Sequence, residues 1–453
     1  MKKLTKPSLT YLCIALSCTP LIFFYTTVIN NFSYQEFINI SGSVSGYVGV
    51  ILMIWSFILG IRSLIGIITP DIIAAINTHK NLGKYGMLLI FIHPLLEVII
   101  YLKNFSWLFI LDFRNNLETR VSMGRIALLL FLIIYATSAL LRNRIKYRPW
   151  KLIHLLAYPM LVLVFIHAVS IGSIMSKYPI VMALWFTVFL LYQILIIYKF
   201  IEWSGILRPK YTLVSKNYYG DHQIVYCLSP ISHFIKPTAG QFIYLQINKF
   251  GETHPFSILD YSKKDNIIKI GVKTVGKFTT KMERLAIGTP IGVEGPYGVF
   301  GKDIDLQANN IFIAGGVGVV PCLNILNEQD NSSNYLIYSV RNIDEIINYN
   351  QIQKILPNQH LITITKEDKV EDKTLIDGAR IGRINSNLIN EIVNKNNNGK
   401  KNIYYVCGST SFIKGVLEYF KELKIDKKYI ILDLIKLTQF TYPILQLQNG
   451  IGV

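Results

Sequence analysis

Six apolar runs occupy the first 207 residues, at about 8–29, 44–68, 82–102, 122–141, 152–171 and 179–201. Each is long enough to cross roughly 30 Å of hydrocarbon as an α-helix. The composition agrees: of 453 residues 51% are hydrophobic and only 16% charged, more apolar surface than one soluble domain can bury. A membrane domain over 1–207 is therefore expected. The first run follows "MKKLTK" and invites reading as a secretory signal. It exceeds a usual signal core and has no small-residue cleavage site, so a sixth span is expected instead.

With the N-terminus cytoplasmic, the inner segments hold eleven Lys and Arg (Lys2, Lys3, Lys6, Arg62, Lys80, Lys84, Arg142, Arg144, Lys146, Arg148 and Lys151). The outer segments hold four, Lys103, Arg114, Arg120 and Lys177, with Arg125 lying inside a span. That asymmetry fits the positive-inside rule and a multi-pass protein of the cell (inner) membrane. The net charge of +18 divides into +11 for residues 1–207 and +7 for 208–453, so basicity reads as topology and no nucleic-acid partner is expected. Five cysteines, none in C-x-x-C spacing, imply neither a disulfide framework nor a zinc site.

The membrane half has four histidines: His79 and His93 at the third span, His154 and His167 at the fifth, spaced 14 and 13 residues apart. Spans three and five run in the same direction. His79 and His154 therefore share the cytoplasmic level, and His93 and His167 share one about 20 Å further out. Intramembrane histidines are costly, and two cross-helix pairs at matched depths suit axial ligation of haem iron better than chance polar burial. The helical period fits only the first spacing: 14 positions return within about 40° of one face, whereas 13 leave His167 about 140° from His154. A distorted fifth helix follows, with Pro159 between the histidines as its cause.

This constellation, over about residues 44–200, resembles the ferric reductase and NADPH oxidase superfamily, whose third and fifth helices hold two stacked b haems at these spacings. The resemblance implies haem iron on His79, His93, His154 and His167. It also implies electron transfer across membrane lipid to a small outer-face acceptor, a ferric chelate or O2.

After "EWSGILRPKY" the pattern changes to short strands and Gly-rich turns, so a boundary is expected near 207. Residues 208–305 read as an antiparallel β-barrel with strands in "YTLVSK", "HQIVYCL", "GQFIYLQI", "NIIKIGVK" and "TPIGVEGP". "HPFSI" at 254–258 resembles the flavin signature of ferredoxin-NADP reductase relatives, which gives His254, Pro255, Phe256 and Ser257 to FAD. "GKFT" at 276–279 occupies the place of their pyrophosphate-binding turn, with Gly276 and Thr279.

Residues 306–453 read as an α/β nucleotide-binding domain. "NIFIAGGVGVVPCLNIL" is a strand, glycine turn and helix start that lets backbone amides approach a pyrophosphate. It resembles the G-G-x-G-x-x-P nicotinamide-dinucleotide turn, through Gly315, Gly316, Gly318 and Pro321. Downstream, Ser339 and Arg341 stand where relatives bind the adenosine ribose and its 2′-phosphate. This favours NADPH over NADH, unless Arg341 is a plain surface charge. "YYVCGSTSF" resembles the late C-G-P turn, with Cys407 near the nicotinamide, Gly408 in the turn and Ser409 in place of the proline. The tail "TQFTYPILQLQNGIGV" runs past the usual end of that fold, which leaves open which residue covers the flavin.

The expected architecture is a membrane all-α six-helix bundle followed by a cytosolic α+β ferredoxin-reductase-like module, using FAD, two b-type haems and NADPH or NADH. Glu97, one turn beyond His93, is the one local clue to the acceptor: a carboxylate there favours a ferric cation over superoxide. The alternative is that Glu97 is protonated or paired with Lys103 and has no catalytic part. A relay to a protein partner and a non-catalytic binding subunit also stay open. No D-x-[DN]-x-[DN]-G pattern points to calcium control.

Overall fold

The computed structural model describes residues 6–22, 33–101, 103–171, 178–262, 264–302, 304–329, 332–366, 376–395 and 398–433. The chain divides into two compact units, Met1–Ile201 and Glu202–Val453.

Among the described residues of the first unit, five helices are long and apolar enough to cross a membrane: Tyr34–Leu59, Ile72–Ile100, Asn116–Leu140, Tyr147–Val169 and Pro179–Ser204. The first apolar run forms α1 (Lys6–Ser17), followed by a 3-10 turn at Thr19–Leu21. The rest of that run lies outside the described residues, so five crossings stand where the sequence reading expects six.

α2 (Tyr34–Leu59) starts at Ser33, whose hydroxyl accepts the Glu36 N–H at 3.2 Å. After the short α3 (Arg62–Ile68), α4 (Ile72–Ile100) starts at Asp71, which accepts the Ala74 N–H at 3.0 Å. Glycines let α2 and α4 approach closely. A Cβ added to Gly49 would lie 2.8 Å from Ile90, and one on Gly86 would lie 3.0 Å from Met53. α5 (Asn116–Tyr135) is capped by Asn115 and runs on through a π turn, Ala136–Leu140.

The fifth span is two helices, α6 (Tyr147–His154) and α7 (Ala157–Ile171), parted at Leu155 and Leu156. Pro159 has no N–H for the Leu155 carbonyl and its ring crowds that group, so the ladder must fail there. Tyr158 N–H bonds Leu155 O at 3.1 Å instead, and Met160 N–H resumes the helical pattern to Leu156 O at 3.0 Å. The distortion required by the 13-residue spacing thus lies between the two histidines. α8 (Pro179–Ser204) closes the bundle, with Trp185 and Tyr192 packed against Phe131, Leu161 and Phe165.

The second unit opens with a closed six-stranded barrel. Its strands are β1 (Lys210–Tyr219), β2 (Gln223–Pro230), β3 (Phe242–Gln246), β4 (Thr253–Ser262), β5 (Ile267–Lys273) and β6 (Pro290–Tyr297). They follow the order β1-β2-β5-β4-β3-β6, with neighbouring strands antiparallel. The strand the sequence reading did not count is β4, which contains His-Pro-Phe-Ser. A proline inside a run argues against a strand, and here Pro255 pairs with Tyr244 of β3. α9 (Lys277–Glu283) follows β5.

A six-stranded parallel sheet completes the unit, in the order β10-β9-β8-β7-β11-β12. Its strands are β7 (Asn309–Gly315), β8 (Asn334–Val340), β9 (His360–Ile364), β10 (Ala379–Ile381), β11 (Asn402–Cys407) and β12 (Ile430–Leu432). α10 (Val319–Leu326) is buried along its whole length. It is held to the barrel by Asn324, whose buried Oδ1 accepts the Gly240 N–H at 2.9 Å. Chain order reverses at β7, between β8 and β11, where open α/β sheets take their ligands.

Candidate functional site

The four membrane histidines share one arrangement. His79 Nδ1 donates to Ser56 O at 2.7 Å, His93 Nδ1 to Gly42 O at 3.0 Å, and His167 Nδ1 to Arg120 O at 2.9 Å. His154 Nδ1 lies 3.2 Å from Ser138 Oγ. The three rings bonded to carbonyls must donate from Nδ1, which leaves their Nε2 as the lone-pair nitrogen for a metal, whereas the Ser138 hydroxyl can donate to or accept from His154. The His79 and His154 rings face one another, centroids 6.1 Å apart and planes at 67°.

Glycines make room for the outer pair. A Cβ on Gly46 would stand 3.1 Å from His93 Nδ1, and one on Gly124 would stand 2.5 Å from His167 Nδ1 and Cε1. Among the described residues there is no group of three or more His, Cys, Asp or Glu that could hold a metal ion. Two imidazoles are too few for a structural zinc, which takes four protein ligands, but they are what a tetrapyrrole-bound iron takes axially. The residues present fit that group.

Around the inner pair, Trp150 stacks on His154 with centroids 5.0 Å apart, and its Nε1 donates to Ser138 Oγ at 3.2 Å. The Arg142 guanidinium lies over the same indole, 4.4 Å from its ring centre. At the outer level the Glu97 carboxylate lies 3.7 Å from His93 Nδ1, closer to that ligand than one helical turn alone requires. No ion pair links it to Lys103 among the described residues.

In the barrel, the His254 ring lies against Phe278 with centroids 4.1 Å apart, and its Nε2 is buried without a hydrogen-bond partner among the described residues, 3.7 Å from a Glu252 carboxylate oxygen. Burial lowers the His254 pKa against the opposing pull of Glu252. Phe256 packs into the barrel core and stacks on Phe278, while Ser257 pairs with Phe242. Thr279 Oγ1 accepts the Gly276 N–H at 3.1 Å and opens α9. Gly276 has extended backbone and open space where a Cβ would be, so nothing within the chain requires glycine there.

The β7 and β11 turns touch. A Cβ on Gly318 would lie 2.5 Å from Cys407 O and 2.8 Å from the Gly408 Cα, and one on Gly315 would lie 2.7 Å from the Phe412 ring. Gly316 has φ +53° and faces open space. Pro321 sits in the first turn of α10, where its missing N–H costs least. Ser339, one residue before the end of β8, pairs with Gly315, and Arg341 is exposed just beyond the strand, its N–H donating to Glu345 Oε2 at 3.2 Å. Ser409, in place of the family's proline, caps α11 (Thr410–Glu422) by accepting the Phe412 N–H at 3.3 Å.

The structure adds residues that the sequence reading missed. Cys407 Sγ donates to Asp433 Oδ2 at 3.2 Å, both buried, so a carboxyl stands behind the thiol. Asp433 directly follows β12; a lone acidic residue after an apolar "YIIL" was the available signal. Gly46, Gly124, Ser56 and Ser138 were hidden within apolar runs. The tail from 437 lies outside the described residues.

Three family models match the chain: "Ferric reductase like transmembrane component" over residues 45–165, "FAD-binding domain" over 209–300 and "Oxidoreductase NAD-binding domain" over 312–418. The phenol hydroxylase P5 protein of Acinetobacter pittii is 32% identical over 145 residues, 30% of this chain and 41% of that protein. Ferric reductase transmembrane component 5 of Saccharomyces cerevisiae is 27% identical over 175 residues, 34% of this chain and 25% of that one. Among solved structures, the flavohem-like FAD/NAD-binding domain of a Vibrio cholerae nitric oxide dioxygenase matches at 17% identity with a TM-score of 0.43, covering 50% of this chain and 98% of that one. The matched segments span 40–42% of the length of the first curated relatives.

Proposed function

From the premise that this chain belongs to the ferric reductase superfamily, with a transmembrane component followed by FAD- and NAD-binding domains, we propose that it carries electrons from NAD(P)H through FAD and two b haems to an acceptor across the membrane. The observation that carries the proposal is the quartet of imidazoles, each held at Nδ1, three of them by carbonyls that leave Nε2 free for iron. When bound, nicotinamide supplies hydride, flavin exchanges a pair for single electrons and haem conducts single electrons.

The chain's own residues hold and align those groups. His79 with His154 and His93 with His167 would hold the two haem irons. The touching turns at Gly318 and Cys407 fix where the dinucleotide meets the flavin, while His254, Ser257 and the α9 turn hold FAD. Six crossings, counting the run that begins near residue 8, leave the N-terminus and the dinucleotide-binding half cytoplasmic. Arg341, exposed at the end of β8, reads the 2′-phosphate. Arg341→Ala should weaken NADPH about tenfold or more and leave NADH unchanged, measured as KM for flavin reduction. Equal losses for both nucleotides would remove this role.

For the acceptor we favour a ferric chelate, because Glu97 puts a carboxylate beside the outer ligand His93. A survey of acceptors with the purified protein, under air and under argon, tests the reading. Ferric chelate reduction should be at least as fast as oxygen reduction, and Glu97→Gln should slow the metal reaction selectively. Superoxide as the main product in air, with ferric reduction unchanged in Glu97→Gln, would make the protein an oxidase.

A further inference from the structure

Arg125 follows Gly124, the residue that makes room for His167, on the part of α5 that faces the outer histidine pair. Its side chain is 5% exposed. Nη1 donates to Ile110 O at 2.6 Å and lies 3.9 Å from Glu118 Oε2, and the guanidinium rests on the Trp107 ring at 4.4 Å. These contacts use one corner of the guanidinium and one face. Nε and Nη2 are both buried and have no hydrogen-bond partner among the described residues.

Nε–H and the adjacent Nη2–H form the edge of a guanidinium that meets a carboxylate with two parallel hydrogen bonds. A buried donor without a partner is rare, and two on the same fork of one cation are costlier still. Gly124, the preceding residue, would set a Cβ 2.5 Å from the His167 ring, which puts Arg125 at the level of that histidine.

We propose that the Nε–Nη2 edge of Arg125 binds a carboxylate beside the outer histidines. The source is either a propionate of the outer haem or a carboxylate of the chelate that delivers ferric iron. The inference rests on the proposed two-haem reading, and Lys would be a poor substitute because it keeps the charge without the fork.

The test compares full-length wild type, R125Q and R125K in lipid nanodiscs. It reads haem per chain, midpoint potentials from reduced-minus-oxidised spectra, and KM for ferric citrate against ferric maltol, a neutral chelate without carboxylates. A propionate partner predicts that R125Q lowers one midpoint potential while the ratio of the two KM values stays fixed, since an unpaired propionate stabilises ferric iron. A chelate partner predicts unchanged potentials, with KM for citrate about tenfold higher and KM for maltol unchanged.

Two haems per chain with unaltered potentials and KM values in both variants would overturn the inference and leave the function reading standing. Should R125Q fail to insert, R125K decides by the same readouts. Wild type without haem would overturn the function reading, and calorimetric citrate binding to wild type against R125K would then decide this inference alone.

Discussion

Replacing His93 or His167 with alanine is expected to remove one of two haems per chain and to abolish transfer to the outer acceptor, with NAD(P)H still reducing the flavin. The two rings form the outer pair, and neither has a substitute: no cluster of three metal-binding side chains stands among the described residues. Gly124→Ala should reproduce the His167 defect without touching a ligand, because its Cβ would fall 2.5 Å from that ring. Pyridine haemochrome content and anaerobic flavin bleaching measure both halves. Full haem content in His93→Ala and His167→Ala would end the assignment.

Gly318→Ala should produce the opposite defect, with haem and FAD retained and NAD(P)H-driven reduction lost. The added methyl would lie 2.5 Å from Cys407 O and 2.8 Å from the Gly408 Cα, so backbone rather than a flexible side-chain end must move. A shift of about 1 Å at a hydride-transfer site costs on the order of a hundredfold in rate. Stopped-flow flavin reduction by NADPH checks it, with dithionite reduction of the haems as the control. A wild-type reduction rate would show that the β7 and β11 turns do not align the nicotinamide.

What the sequence made legible were demands that fall on side chains. Iron needs imidazoles at set depths, so the 14 and 13 spacings stand out in an apolar run. The 13-residue spacing even required a helix break, and α6 and α7 part where Pro159 cannot serve Leu155. Glycine turns and short strands marked the barrel and the parallel sheet in the same way.

What stayed hidden were demands met by the main chain or by bare space. The Nδ1 partners of His79, His93 and His167 are carbonyls that any residue could supply. Gly46 and Gly124 act by lacking a Cβ, which within an apolar helix looks like packing. β4 was missed because its proline reads as an interruption, and Asp433 because its thiol partner is 26 positions away.

The four ring anchors come from only two stretches of chain: α2 serves His79 and His93, while α5 with its π turn serves His154 and His167. Three of the anchors are carbonyls, which point substitution cannot delete. Drift in the side chains of α2 and α5 therefore leaves those three imidazoles oriented as before, and a lineage can rework its lipid-facing surface without detuning them. Ser138 is the exception, because its anchor is a hydroxyl. His154 is thus the proposed ligand whose alignment can be adjusted with a single codon and without altering a histidine, which makes residue 138 the place where substitution would tune the proposed electron transfer.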